Sequence, residues 1–299
     1  MVDSLPFRPW SPKGRDTPKG LLRSPLSGRA MAVMEYYENP SFGLDDMVGL
    51  SAAKDKAKKD LKNGSKSFLI FGPTGAGKSV LALAMASGLG YGIIDVDTAR
   101  LGKDYLEVLR DLVRYLEDRR YTVLLYNVEF FLLKVSVNKN ILGETTERVI
   151  IYDPYIDDVS RSIGQRVIIY DPYIDYDKIL EHSNNVIDIL RDLREASAYL
   201  IATSSMPWIL PRTFWELFES YIYVSLPGYS ERVEIIKRLI GSSMRHDIDL
   251  EKLAVYTRGC SVSDLEELVR RLRDAEDPYR VLRDYRCISE KLLEDLYRR

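Results

Sequence analysis

Short apolar runs alternate with amphipathic stretches along most of this chain. "SKSFLIFG" (65–72), "YGIIDVDTARL" (91–101), "YTVLLYNVEFFLL" (121–133), "AYLIATSS" (198–205) and "YIYVSLP" (221–227) read as strands. Between them, "SAAKDKAKKDLKNG" (51–64) reads as a polar helix stopped by Asn63-Gly64, and "SVLALAMASGLG" (79–90) as a small-residue helix ended by Gly88 and Gly90. Residues 103–120 predict a strongly amphipathic helix with Leu106, Leu109, Val113 and Leu116 on one face, and residues 184–197 another helix. From about residue 228 the pattern is helical to the end. Strands alternating with helices predict a parallel five-stranded sheet covered on both faces, followed by a small helical lid domain.

One stretch carries explicit chemistry. "GPTGAGKS" (72–79) fits G-x-x-x-x-G-K-[ST], with a strand before it and a helix after it. In such a loop the backbone N–H groups turn inward around phosphates, and the helix N-terminus adds its positive end. Gly72, Pro73, Thr74, Gly75, Ala76, Gly77, Lys78, Ser79 and Val80 are therefore the expected nucleotide-binding residues. Lys78 would reach the β- and γ-phosphates and Ser79 would hold Mg2+. The expected cofactors are ATP or ADP with Mg2+.

Beyond this loop, the chain from about residue 40 to its end resembles the AAA family of P-loop ATPases, and within it the meiotic clade of katanin, spastin, the ESCRT-disassembling ATPase and archaeal cell-division relatives. "FGLDDMVGL" (42–50) is similar to that family's adenine-pocket segment, which implies Met47, Val48 and Gly49 beside the base. "ATSSMPWILPRTFWELFESYIYVSLPGYSERVEIIKRL" resembles its passage from sensor to lid, and "TRGCSVSDLEELVRRL" (257–272) its lid motif, with Asp264 near the start of a helix. The resemblance implies a ring, usually a hexamer, with ATP at the subunit interfaces.

This sequence departs from the family at four working positions. The magnesium-and-base pair falls on Asn127 and Val128, so Asn127 is the expected magnesium neighbour, on a strand expected to lie beside the phosphate-loop strand. A register shift of one residue would instead make Glu129 the base. Asp153 or Asp171, in "VIIYD", is an alternative metal acid. The sensor asparagine falls on Ser204 or Ser205. The arginines that would reach a neighbour's site fall on Trp215, Glu216 and Leu217. The aromatic pore-loop residue falls near Arg100-Leu101.

Composition adjusts this picture at its margins. Residues 1–38 are expected to be a disordered, Pro- and Arg-rich extension, 39–227 the α/β nucleotide-binding domain and 228–299 the lid. "RVIIYDPYID" occurs twice, at 148–157 and 166–175, predicting a duplicated insertion at about 148–175. A net charge of −2 and the lack of a basic domain after the lid argue against nucleic acid. No apolar run is long enough for a membrane span, and a cytoplasmic setting is expected. Cys260 and Cys287 are too few for a disulfide framework and are expected in or near helix cores. His182 is expected at the surface, and Arg270, Arg271 and Arg273 on a solvated face.

The predicted function is an AAA-type ATP-binding protein with weak or lost hydrolysis, acting within a homo- or hetero-oligomeric ring. The alternative is an active AAA ATPase that remodels protein assemblies. A P-loop motor on nucleic acid fits least.

Overall fold

The computed structural model describes residues 34–37, 42–101, 105–117, 119–131, 176–240, 249–275, 278–285 and 287, with side chains of the 176–240 stretch from residue 184 onward. The duplicated segment, and with it Asp153 and Asp171, lies outside the described residues, as does the His182 side chain.

Six strands form one sheet: β1 (Met34–Tyr37), β2 (Ser67–Phe71), β3 (Gly92–Asp97), β4 (Tyr121–Tyr126), β5 (Tyr199–Ser204) and β6 (Ser220–Tyr223). Their spatial order is β1-β3-β4-β5-β2-β6. Strands β2 to β6 pair in parallel, as the alternating pattern predicts. β1 pairs antiparallel with β3, Met34 opposite Val96 and Tyr37 opposite Ile93. Four residues of the expected N-terminal extension thus add a sixth, edge strand.

The order corrects one expectation. β4 does not lie beside the phosphate-loop strand β2; β5 pairs with both and stands between them. Helical crossovers decide which strands become neighbours, and no local pattern reports that choice.

Alternate residues along β2 supply two separate cores. Leu69 packs with Ile94, Val123, Leu125 and Leu200 under the helices α3 (Tyr105–Leu116) and α4 (Tyr176–Ala196). Phe68 and Ile70 face the other way, toward Leu81 and Met85 of α2 (Lys78–Ser87) and Ala57 of α1 (Ser51–Lys62). Both faces of the sheet are covered, so its strands read as nearly continuous apolar runs. α4 begins at Tyr176, eight residues earlier than the sequence pattern predicts.

After the four-residue helix α5 (Arg212–Trp215) and strand β6, the lid follows as α6 (Tyr229–Ile240), α7 (Leu250–Tyr256), α8 (Val262–Asp274) and α9 (Pro278–Asp284). Its own core gathers Ile236, Leu253, Leu265, Leu268 and Leu272. Arg232 is buried and donates to Ala254 O through Nε and Nη2, and to Pro227 O through Nη1. It thereby ties the end of α7 to the connection leaving the sheet. Cys260 and Cys287 form a disulfide, with Cα atoms 5.2 Å apart, which corrects the expectation that they stay outside any disulfide framework. Among the described residues, no helix is long and apolar enough to cross a membrane.

Candidate functional site

The phosphate loop is built by close approach. Directly after β2, a Cβ on Gly72 would collide with the Val224 carbonyl oxygen, because Val224 N–H donates to Phe71 O at 2.8 Å. Gly75 has φ +74, and a Cβ there would lie 2.6 Å from Ser261 Oγ of the lid. Only glycine meets both demands. Thr74 is exposed at the crown of the loop, and Ala76 is fully buried beneath it.

Lys78 opens α2 with 6% of its surface exposed. Its Nζ donates to Gly72 O at 2.9 Å and to Pro73 O at 2.8 Å. Burial pushes the ammonium down to about 8, an effect that the Glu129 carboxylate partly opposes. A desolvated cation held against two backbone carbonyls of the loop is suited to receiving phosphate oxygens.

The acid side of the site is formed by a turn. β4 ends at Tyr126, and Asn127 has φ +57, in the left-handed region that asparagine enters more easily than most side chains. The expected strand through residue 133 is therefore broken at 127. Asn127 N–H donates to Thr203 Oγ1 at 3.2 Å, its Nδ2 to Asp97 Oδ1 at 3.2 Å, and its carbonyl accepts from Thr98 Oγ1 at 2.5 Å. Its amide is thus turned toward the end of β3.

Val128 is fully buried in the core and donates to Thr203 O at 3.0 Å. Glu129 is 1% exposed; its Oε1 accepts from Ser205 N–H at 3.0 Å, while its buried Oε2 has no hydrogen-bond partner among the described residues. The turn re-aims the chain so that Glu129, not Val128, presents a side chain whose charge acts on Lys78.

The remaining expected residues separate. Ser204 is fully buried; its hydroxyl accepts from Met206 N–H at 3.2 Å, and its carbonyl accepts from Gly72 N–H at 3.3 Å. Trp215 packs edge-on against Phe71, with ring centres 5.4 Å apart. Glu216 is exposed and paired with Arg212 at 3.1 Å, and Leu217 belongs to the core. Arg100 pairs with Asp97 at 3.3 Å, and Leu101 is buried. Sequence reasoning missed Asp97 and Thr203. Their signal was position, since both stand at or near the carboxyl ends of parallel strands, where α/β sheets bind ligands.

A cleft of about 490 Å³ runs from the loop residues Gly75, Gly77 and Ser79 to an apolar end at Phe42, Met47 and Val48. The lid closes its far wall. Ser261 caps α8 in reciprocal hydrogen bonds with Asp264, and Ser263 N–H donates to Gly75 O at 3.3 Å. Met47 and Val48 line the cleft, whereas Gly49 lies against Glu231 of α6.

The residues present fit a magnesium nucleotide. The loop turns on glycines packed too tightly against Val224 and Ser261 to carry a Cβ, Lys78 and Ser79 are the right donor and ligand types, and Glu129 Oε2 is an orphaned acceptor. Among the described residues no group of three or more His, Cys, Asp or Glu side chains is placed to hold a metal ion. Mg2+ is commonly held by one or two protein groups together with phosphate and water oxygens.

This sheet order, phosphate loop and helical lid give the chain the α/β P-loop fold seen in AAA domains. In fold the chain is similar to a crystal structure of the FIGL-1 AAA domain, with a TM-score of 0.61 and 16% identity over 91% of this chain and 94% of that one. It is also similar to a structure addressing katanin self-assembly, with a TM-score of 0.56 and 18% identity over 89% and 83%.

In sequence it is 23% identical over 246 residues to Cell division protein C of Sulfolobus acidocaldarius, covering 78% of this chain and 59% of that protein. It is 24% identical over 247 residues to a katanin p60 ATPase-containing protein of Rattus norvegicus, covering 78% and 46%. The chain therefore matches about half the length of these curated relatives. No protein-family model matches it.

Proposed function

We propose that this chain is an ATP-binding member of an oligomeric AAA-type assembly that hydrolyses its nucleotide slowly when no partner supplies an arginine. The observation that carries the reading is Lys78, buried at the phosphate loop with its ammonium held over two backbone carbonyls and facing one acid, Glu129. In this reading Lys78 exchanges those carbonyls for phosphate oxygens. Ser205 N–H fixes Glu129 Oε1, which leaves Oε2 to accept a proton from water. Mg2+ held through Ser79 would neutralise charge on the phosphates. The apolar end of the cleft takes the base, and the lid excludes water. A cytoplasmic setting belongs to the same reading, and the self-assembly of katanin and the cell-division role named for the archaeal relative support an assembly function.

Weak turnover follows from the segment that would reach a neighbour, where Trp215, Glu216 and Leu217 replace the arginines implied by the resemblance. An arginine at such a place contributes ~10³–10⁵ in rate. That same segment favours a second reading, a protein that holds nucleotide without turning it over.

Thermal unfolding and turnover, measured together, test both. Mg-ATP at about a hundred times its Kd is expected to stabilise the wild type by ~2.7 kcal/mol, and Lys78→Ala to abolish the shift. Glu129→Gln is expected to keep the shift and lose at least ~100-fold in turnover. Identical melting of wild type and Lys78→Ala at millimolar nucleotide would sink the binding assignment. Equal, measurable turnover by wild type and Glu129→Gln would remove Glu129 from the chemistry, and no turnover by either would leave the holding-only reading.

A further inference from the structure

Glu266 lies on α8, one turn beyond Ser263, and lines the cleft wall. The charged residues lining the cleft are Asp46, Arg238 and Glu266. Arg238 donates to Asp46 O at 2.9 Å, and the Asp46 carboxylate accepts from Gly43 N–H at 2.8 Å. Glu266 makes no hydrogen bond or ion pair with any described residue, although it is half-buried and burial alone pushes its carboxyl up. A half-buried carboxylate without donors is unfavourable, and the cost is recovered when a ligand brings O–H or N–H groups.

Position along α8 says which part of a nucleotide those donors belong to. Ser263 N–H rests on Gly75 O, so the start of α8 sits at the phosphate end. Three residues of helix advance about 4.5 Å, roughly the step from a phosphate to its sugar. A carboxylate repels phosphate, and the base end at Phe42, Met47 and Val48 is apolar. The group of a nucleotide that offers two adjacent hydroxyl donors is the ribose, and carboxylates recognise it in that way elsewhere.

We propose that Glu266 is a specificity-determining residue whose carboxylate accepts hydrogen bonds from the ribose hydroxyls, so that the lid selects ribonucleotides over deoxyribonucleotides. The proposal deepens the nucleotide-binding reading and rests on it.

The test is a set of binding titrations on the full chain with magnesium and ATP, 2′-deoxy-ATP, 3′-deoxy-ATP or tripolyphosphate, the last lacking a nucleoside. Wild type is expected to prefer ATP to at least one deoxy analogue by about tenfold, as for a hydrogen bond to a charged group. Glu266→Ala is expected to bring ATP down to the level of that analogue and to leave tripolyphosphate unchanged. Glu266→Gln, which keeps shape and one acceptor, is expected to fall between the two. Equal binding of ATP and both deoxy analogues by the wild type would overturn the proposal while leaving the nucleotide reading intact. So would discrimination that persists in Glu266→Ala. If wild type binds neither ATP nor tripolyphosphate, the underlying reading fails and the proposal falls with it.

Discussion

Burial behind the phosphate loop strips water from an ammonium that titrates near 10.5 in an unfolded chain and holds it near 8. Between those two values the unfolded chain binds more protons at Lys78 than the folded one, so this group's contribution to stability rises with pH across that window. The cost of keeping it charged is fully present below pH 8 and gone above about 10.5. Comparison with Lys78→Met isolates the effect from other titrating groups. Without nucleotide, the wild type is expected to gain on the variant by on the order of 3 kcal/mol between pH 7.5 and 10.5. Denaturant unfolding of both proteins across that range checks it, and parallel pH profiles would mean that Lys78 is not desolvated. The lysine was legible in the sequence because the whole loop is written in eight contiguous letters. Glu129 was legible only as an alternative, because its place depends on the left-handed backbone of Asn127. That turn moves the acid from one residue out of register to the residue whose charge reaches Lys78. An asparagine at a strand's end is a weak hint of such a turn, and nothing in periodicity reinforces it.

Elements with a strong local pattern were read well: the five parallel strands, the helices that cover them and the helical lid all follow from apolar runs and glycine stops. What escaped belongs to long-range pairing. The edge strand β1 is four residues borrowed from a segment with the composition of a tail, and it exists because β3 offers it an open edge. The Cys260–Cys287 disulfide spans 27 residues and joins the turn before α8 to the chain beyond α9, a meeting set by lid packing. Cys260 directly precedes Ser261, the cap whose helix clasps Gly75. Closing a loop of that size stabilises by about 3–4 kcal/mol in the chain-entropy account. Reduction is therefore expected to lower the melting temperature of the wild type, and Cys287→Ser to lower it without reductant and to be indifferent to reductant thereafter. Identical melting with and without reductant would show that the link contributes nothing to the lid.

At the scale of the whole molecule, the resemblance implies that the arginine reaching a neighbouring copy would come from the segment around α5, and the packing there decides which repair is possible. Leu217 is 2% exposed within the sheet's core, so Leu217→Arg would bury an unpaired charge; it is expected to cost on the order of 3–5 kcal/mol and to fail as a rescue. Val128→Glu meets the same obstacle, since Val128 is fully buried between β4 and Glu129. Glu216 is different. Its side chain is 61% exposed and, among the described residues, its ion-pair partner is Arg212, itself 92% exposed, so it can be changed without disturbing the fold. In the proposed assembly, an acid there would also repel the triphosphate of a facing neighbour. Glu216→Arg is therefore expected to raise turnover per chain by at least about tenfold, below the ~10³–10⁵ of an evolved arginine because its geometry is untuned. The gain should appear only at protein concentrations where chains associate, since the new guanidinium acts on the neighbour's site and not on its own. Turnover measured against concentration, beside light scattering on the same samples, separates the two cases. A rate per chain that rises together with assembly supports a shared site. A gain that persists in the monomer places the arginine's effect within one chain, and no gain in the assembled protein means that this face does not meet a neighbour's nucleotide.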